Sequence, residues 1–157
     1  MRKQNLVMGN IYHIYNRGVE KRDIFIDDGD YARFISDLGL FNDIRPAYNV
    51  GFKLKRSNID IGYQYSAENK LVDILAFCLM SNHYHLLLKQ KIENGITEFM
   101  RKLGIGYVNY FNIRYKRVGT LFQGKFKSVL INDTSQLLYI PHYIHLNPLD
   151  KFAPEWR

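Results

Sequence analysis

The chain has 157 residues and is poor in the features that mark several large protein classes. Its one cysteine, Cys78, cannot form an intramolecular disulfide, and a reducing compartment is expected. Cys78 lies in the apolar run Ile74 to Met80 and reads as buried packing. That run is far shorter than the roughly 20 apolar residues of a membrane-spanning helix. No apolar signal-peptide core follows Met1-Arg2-Lys3-Gln4-Asn5. The expectation is a cytoplasmic protein with no membrane partner. A P-loop glycine motif is also missing, so nucleotide hydrolysis through that device is excluded. The last absence is of acidic residues between Arg101 and Lys127. That segment holds Arg101, Lys102, Arg114, Lys116, Arg117, Lys125 and Lys127, and it accounts for the whole net charge of +7. A one-signed segment of this kind suits a polyanion such as DNA or RNA, with a solvated basic face as the alternative.

What is present fits one globular domain over residues 1–157. Hydrophobic residues make up 46%, enough for a core at this length. Twelve Tyr and ten Phe serve either that core or surfaces on which bases stack. Ile11 to Tyr15 is rich in β-formers and reads as a strand closed by Asn16-Arg17-Gly18. Asp27 to Asn42 reads as a helix, with Tyr31, Phe34, Ile35, Leu38 and Phe41 on one face and Asp28 or Asp30 as cap. Residues 43–70 are polar, broken by Pro46, Gly51 and Gly62, and read as a long loop inserted into the domain.

Leu71 to Met80 and His83 to Gln90 read as two strands joined by Ser81-Asn82. Ile96, Phe99, Met100, Leu103, Tyr107, Tyr110 and Phe111 mark a helix from near Gly95, in which Gly104 and Gly106 indicate close packing or close approach of a phosphate. Phe126 to Ile131 reads as a fourth strand. Asp133-Thr134-Ser135 caps a last helix, interrupted at Pro141 and stopped by Asn147-Pro148. The order β-α-β-β-α-β-α matches, in its first six elements, an α+β ferredoxin-like fold: an antiparallel sheet with helices on one face.

Two placements carry chemistry. His83 and His85 share one face of their strand, with Cα atoms roughly 6.5 Å apart, while Tyr84 points the other way. Two imidazoles so placed can converge on a cation, although a short His-x-His also occurs as a plain polar pair. If Pro141 occupies the first turn of a helical segment, Tyr143 and Asn147 stand at i and i+4 on one face, presenting a phenol beside an amide oxygen suited to a third ligand.

These pieces have a known counterpart. The chain resembles the single-tyrosine HUH transposases, especially the REP-associated tyrosine transposase branch. The resemblance rests on Tyr12-His13-Ile14-Tyr15-Asn16-Arg17-Gly18, Met80-Ser81-Asn82-His83-Tyr84-His85-Leu86-Leu87, Gly119-Thr120-Leu121-Phe122-Gln123-Gly124-Lys125-Phe126-Lys127 and Tyr143-Ile144-His145-Leu146-Asn147-Pro148. They occur in the family's order over nearly the whole chain. The resemblance implies a ferredoxin-like core with an added tyrosine helix. His83, His85 and Asn147 match the metal ligands, and Tyr143 matches the nucleophile. It further implies cleavage of single-stranded DNA beside a hairpin, with Mg²⁺ or Mn²⁺, through a 5′-phosphotyrosine link that leaves a free 3′-hydroxyl. Family members act as monomers or as homodimers. Ser81 stands where the family commonly has proline, and Pro141 is a further departure, placing a helix interruption just before the nucleophile.

Other residues have competing readings. Tyr107 and Tyr110 fit the apolar stripe of their helix and read as core. Tyr115, between Arg114 and Lys116, reads as a DNA-packing residue. His13 reads as structural or nucleic-acid-contacting. Arg17, Lys21 and Arg22 follow the first strand and suit hairpin phosphates, which would position DNA without reading its sequence. A non-catalytic nucleic-acid-binding module and a metal hydrolase of small substrates are the rival classes. The first has no use for His83, His85, Tyr143 and Asn147 together, and the second is disfavoured by the basic stretch.

Overall fold

A computed structural model describes residues 5–46, 69–133 and 135–140. Tyr143 and Asn147 lie outside the described residues, as does most of the inserted segment 43–70. The elements are β1 (Ile11–Arg17), α1 (Asp28–Leu40), β2 (Val72–Met80), β3 (His83–Gln90), α2 (Gly95–Arg114) and β4 (Lys127–Ile131). A short helix, α3, follows at 135–140. The four strands form one antiparallel sheet in the order β2-β3-β1-β4. This is the α+β, ferredoxin-like arrangement that the element order implies. None of the described helices is long and apolar enough to cross a membrane.

Strand alternation divides the sheet chemically. Tyr12 and Ile14 of β1 and Tyr84, Leu86 and Leu88 of β3 face α1 and α2 and are almost completely buried. Against them pack Phe34 and Leu38 of α1 and Phe99, Leu103, Tyr107 and Phe111 of α2. The layer is cemented by aromatic contacts, such as Phe34 edge-on to Tyr107 at 4.9 Å. The Tyr107 hydroxyl donates to the Ile24 carbonyl at 2.6 Å, so this tyrosine is a satisfied core residue. Ile35 is half exposed rather than part of the buried face of α1.

The helix ends are fixed by short acidic residues. The N-cap of α1 is Asp27, whose Oδ1 accepts from the Asp30 amide at 3.2 Å, rather than Asp28 or Asp30. Asp30 instead reaches back to accept from the Ile26 amide at 2.8 Å, as in a capping box. Asp133 caps α3 by accepting from the Gln136 amide at 2.9 Å. Gly106 of α2 permits the close approach of Phe41: a Cβ there would sit 2.2 Å from its ring. Gly104 has no such neighbour, so close packing does not account for it.

The opposite sheet face is smaller and differently covered. Ala76, Cys78, Leu87 and Ile131 form a second apolar cluster, onto which Leu137 and Ile140 of α3 pack. Cys78 is buried there, and burial pushes its thiol up to about 11, so it stays protonated at neutral pH.

Candidate active site

His83 and His85 lie on this second face, on a strand flanked by sheet on both sides. Register places Tyr15 opposite His85, Arg17 opposite His83, and Lys127 opposite Tyr15 on the other flank of β1. Side chains directly opposite one another share a face. Strand pairing therefore assembles Tyr15, Arg17, His83, His85 and Lys127 at one end of the face, beyond the part covered by α3. They line an open cleft of about 560 Å³, with Lys21 and Gln123 on its wall. Among the described residues, no acidic side chain lines it.

The two histidine rings meet edge to face with centroids 5.1 Å apart. Each is oriented through Nδ1. His83 Nδ1 lies 2.6 Å from Asn82 Oδ1, an acceptor, which fixes the proton on Nδ1. Asn82 is held in turn by donating to the Lys21 carbonyl at 3.3 Å. The turn carrying it is gripped as well: Gly18 N–H donates to the Asn82 carbonyl, and Ile24 and Phe25 N–H both donate to Ser81. His85 Nδ1 lies 2.8 Å from His13 Nε2, and the two rings stack at 5.0 Å. With both Nδ1 atoms engaged, cation ligation falls to Nε2 on each ring.

The electrostatics favour the neutral imidazoles that ligation needs. Burial, and then His13 and His83 beside it, hold His85 down to about 3. Burial and the Arg17 guanidinium lower His83, and burial lowers His13. Two neutral imidazoles fit a divalent cation as part of a mixed nitrogen and oxygen set, with Mn²⁺ better matched than the oxygen-preferring Mg²⁺. Among the described residues, no three His, Cys, Asp or Glu side chains are grouped to hold a metal. His13 does not make a third, because its Nε2 is directed at His85.

The basic residues singled out from sequence do not act as one patch. Arg17, Lys21 and Lys127 line the cleft. Arg17 is steadied by Gln123, which its guanidinium meets in a hydrogen bond. Lys102 is withdrawn into the core side, where its ammonium donates to the Asp43 and Arg45 carbonyls at 2.6 and 2.9 Å. Arg114 spans Asp27 and Asp30 at 2.6 and 3.0 Å. Arg101 is doubly bonded to Glu98. Arg22 lies 3.8 Å from Glu20, and Arg117 donates to Asn112. Lys116 is exposed after α2, and Lys125 is exposed on the strip leading to β4. Glu98, Asp27 and Asp30, all outside the acid-free segment, thus pair with Arg101 and Arg114. Tyr115 is likewise committed, donating to Asp30 Oδ2 at 2.8 Å, which replaces the expected DNA-packing role with a structural one.

Sequence reasoning gave no role to Tyr15 or Asn82, and read His13 as structural or nucleic-acid-contacting without placing it against His85. Tyr15 stacks near His85 at 5.9 Å, and the Lys127 ammonium lies 5.9 Å from the Tyr15 ring centroid. Asn82 and His13 orient the two histidines. The period-2 rule puts His13 and Tyr15 on one face, so that signal was available; which strand would lie beside them was not.

The fold and this cleft define a domain that presents a histidine pair and cations on an antiparallel sheet. The family model for IS200-like transposases matches residues 56–147, more than half of the chain, and the chain belongs to that family. Among solved structures, the chain is similar to a REP-associated tyrosine transposase bound to a REP hairpin. The TM-score is 0.58 at 12% identity, covering 96% of this chain and 73% of that one. It is also similar to a putative transposase from Deinococcus radiodurans R1, with a TM-score of 0.47 at 14% identity, covering 92% of this chain and 95% of that one. At such identity the first likeness speaks for the shared fold. No curated protein matches the chain.

Proposed function

We infer that this transposase cuts and rejoins single-stranded DNA beside a hairpin, with Tyr143 as nucleophile and His83, His85 and Asn147 as ligands of Mn²⁺ or Mg²⁺. The observation that carries this reading is the convergence of His83 and His85 in a cation-lined cleft on the sheet face that α3 covers. Tyr143 follows Ile140, the last described residue of α3, by three residues, a stretch of at most about 11 Å.

In the reaction, the Tyr143 phenol oxygen attacks phosphorus as its proton leaves. The bond from phosphorus to the 3′ oxygen breaks, and that oxygen takes a proton to become a free 3′-hydroxyl. The phosphorus stays joined to the 5′ end of the downstream strand through tyrosine, which keeps the bond available for rejoining without ATP. A phenol with a reference pKa near 10 is about one part in a thousand ionised at pH 7, so the attack needs help. His83, His85 and Asn147 would hold the divalent cation, which when bound would supply Lewis-acid charge neutralisation at the phosphate. Arg17, Lys21 and Lys127 hold the phosphates, and Tyr15 offers a face to a base or sugar.

The test is incubation of 5′- and 3′-labelled hairpin DNA carrying single-stranded flanks with the protein and Mn²⁺, resolved on a denaturing gel. A covalent adduct on the downstream fragment is expected, lost with Tyr143→Phe and with His85→Ala. DNA binding with no adduct under any divalent cation would replace this reading with that of a non-catalytic binding module. An adduct that persists with Tyr143→Phe would move the nucleophile elsewhere.

A further inference from the structure

A second cavity, of about 460 Å³, lies on the helix side of the sheet edge, away from the histidines. Its walls are Tyr84, Met100, Phe122 and Phe126, and its charged lining residues are Arg101 and Lys125, both cations. The strip 122–127 separates it from the histidine cleft. Phe122, Gly124, Lys125 and Phe126 line the cavity, whereas Gln123 and Lys127 line the cleft. Asn16 borders both spaces, fixed by donating to the Gly124 carbonyl at 3.1 Å.

Gly104 lines this cavity from α2. Glycine within a helix weakens it relative to alanine. Gly106, one turn-half further on, makes room for Phe41, but a Cβ at Gly104 would meet nothing within 4 Å. The fold therefore gives no packing reason for glycine there. What its missing side chain does is keep the cavity open.

We propose that this cavity receives one unpaired nucleobase of the DNA strand whose neighbouring phosphate lies in the histidine cleft. The proposal rests on the DNA-cleaving reading above and adds a specificity site to it. The chemistry fits on both sides: aromatic and thioether walls accept a flat π-face, and the exposed Lys125 suits the phosphate that enters with it, Arg101 being held by Glu98. A strand crossing the partition at Gln123 to Lys127 places one nucleotide on each side, so the base pocket sets which phosphate stands over His83 and His85.

The test uses the full chain without divalent cation, so that binding is read apart from cleavage. Fluorescence anisotropy is measured for hairpin oligonucleotides with single-stranded flanks, each carrying one abasic site in turn. Gly104→Leu, which fills the open space, is expected to keep the melting temperature at or above wild type and to weaken binding of the intact oligonucleotide about tenfold. At one flank position an abasic site should weaken wild-type binding by a similar factor and leave Gly104→Leu binding unchanged, since the base it lacks no longer has a pocket. Three results overturn the proposal. Gly104→Leu binds every oligonucleotide like wild type; or the abasic and Gly104→Leu losses add at every position; or Gly104→Leu lowers the melting temperature, which would mean that the protein's own chain fills the cavity. If DNA of this kind does not bind wild type at all, the DNA-cleaving reading falls with the pocket; if it binds but ignores Gly104, the pocket alone falls.

Discussion

The two faces of the sheet are built from the same two central strands and yet differ in nearly every property. On the covered face, β1 and β3 contribute Tyr12, Ile14, Tyr84, Leu86 and Leu88, sealed under two helices. On the other, the alternate residues Tyr15, Arg17, His83 and His85 line a half-open polar cleft, with His13 beside His85. Neighbours in sequence thus answer to different constraints. Residues on the first face are held by close packing, where volume matters to within a methylene. Those on the second are held by a chain of hydrogen bonds, from Lys21 through Asn82 to His83 and from His13 to His85. Stability and chemistry are interleaved along one strand, yet they can be perturbed separately.

The strongest way to break this comparison is to alter adjacent residues. Leu86→Ala is expected to cost about 2–5 kcal/mol in urea unfolding, and the folded fraction should still bind Mn²⁺. His85→Ala should change stability by no more than about 1 kcal/mol, while Mn²⁺ binding followed by electron paramagnetic resonance disappears. Equal stability losses for the two would mean that the histidine face is part of the core.

The covered side also contains a charge that the separation predicts to be costly. Burial pushes the Asp37 carboxyl up to about 6 against the opposing pull of Arg33, whose Nε donates to both its oxygens at 2.9 and 3.0 Å. A raised carboxyl pKa stabilises the fold below the unfolded-state value near 3.9, and that contribution is lost as pH rises through about 6. Unfolding of wild type compared with Asp37→Asn should therefore show wild type gaining as pH falls from 7 to 4, by at most about 3 kcal/mol. A pH-independent difference would remove Asp37 as the titrating group.

A gentler change sharpens the contrast on the cleft side. His13→Phe keeps a ring against His85 but removes the nitrogen facing its Nδ1, and Mn²⁺ affinity is expected to fall 10- to 100-fold. Its specific signature is the nitrogen-15 spectrum of His85, where the Nδ1–H tautomer that ligation through Nε2 requires should lose population. An unchanged tautomer would reduce His13 to packing. The smallest effect is expected from Lys127→Ala, which should lower the salt dependence of DNA binding by about one unit in the log–log slope. An unchanged slope would place Lys127 outside the phosphate path.

Local features of this architecture were largely readable from the sequence. The bounds of β3, the length of α2 and the Asp133 cap all follow from patterns within a few residues. The histidine pair was also local, because period-2 alternation alone puts both rings on one face. Long-range neighbours were not readable. Nothing near Lys102 indicates that carbonyls of residues 43 and 45 will take its ammonium, and nothing near Arg114 points to Asp27 and Asp30. His13 lies 72 positions from His85, so its role depends on strand order rather than on its own surroundings. Tyr143 and Asn147 were reached by motif and spacing.

The strand order has a consequence for how the molecule comes into being. β1 is made first, but its two neighbours are β3 and β4, so its hydrogen-bonding edges wait for partners that emerge much later in synthesis. A chain made as far as Gln90 contains the histidine pair, Tyr15 and Arg17, but lacks Gln123 and Lys127. Until translation has passed β4, the protein has no wall on that side of the cleft. The cleft is therefore complete only once β4 has docked beside β1.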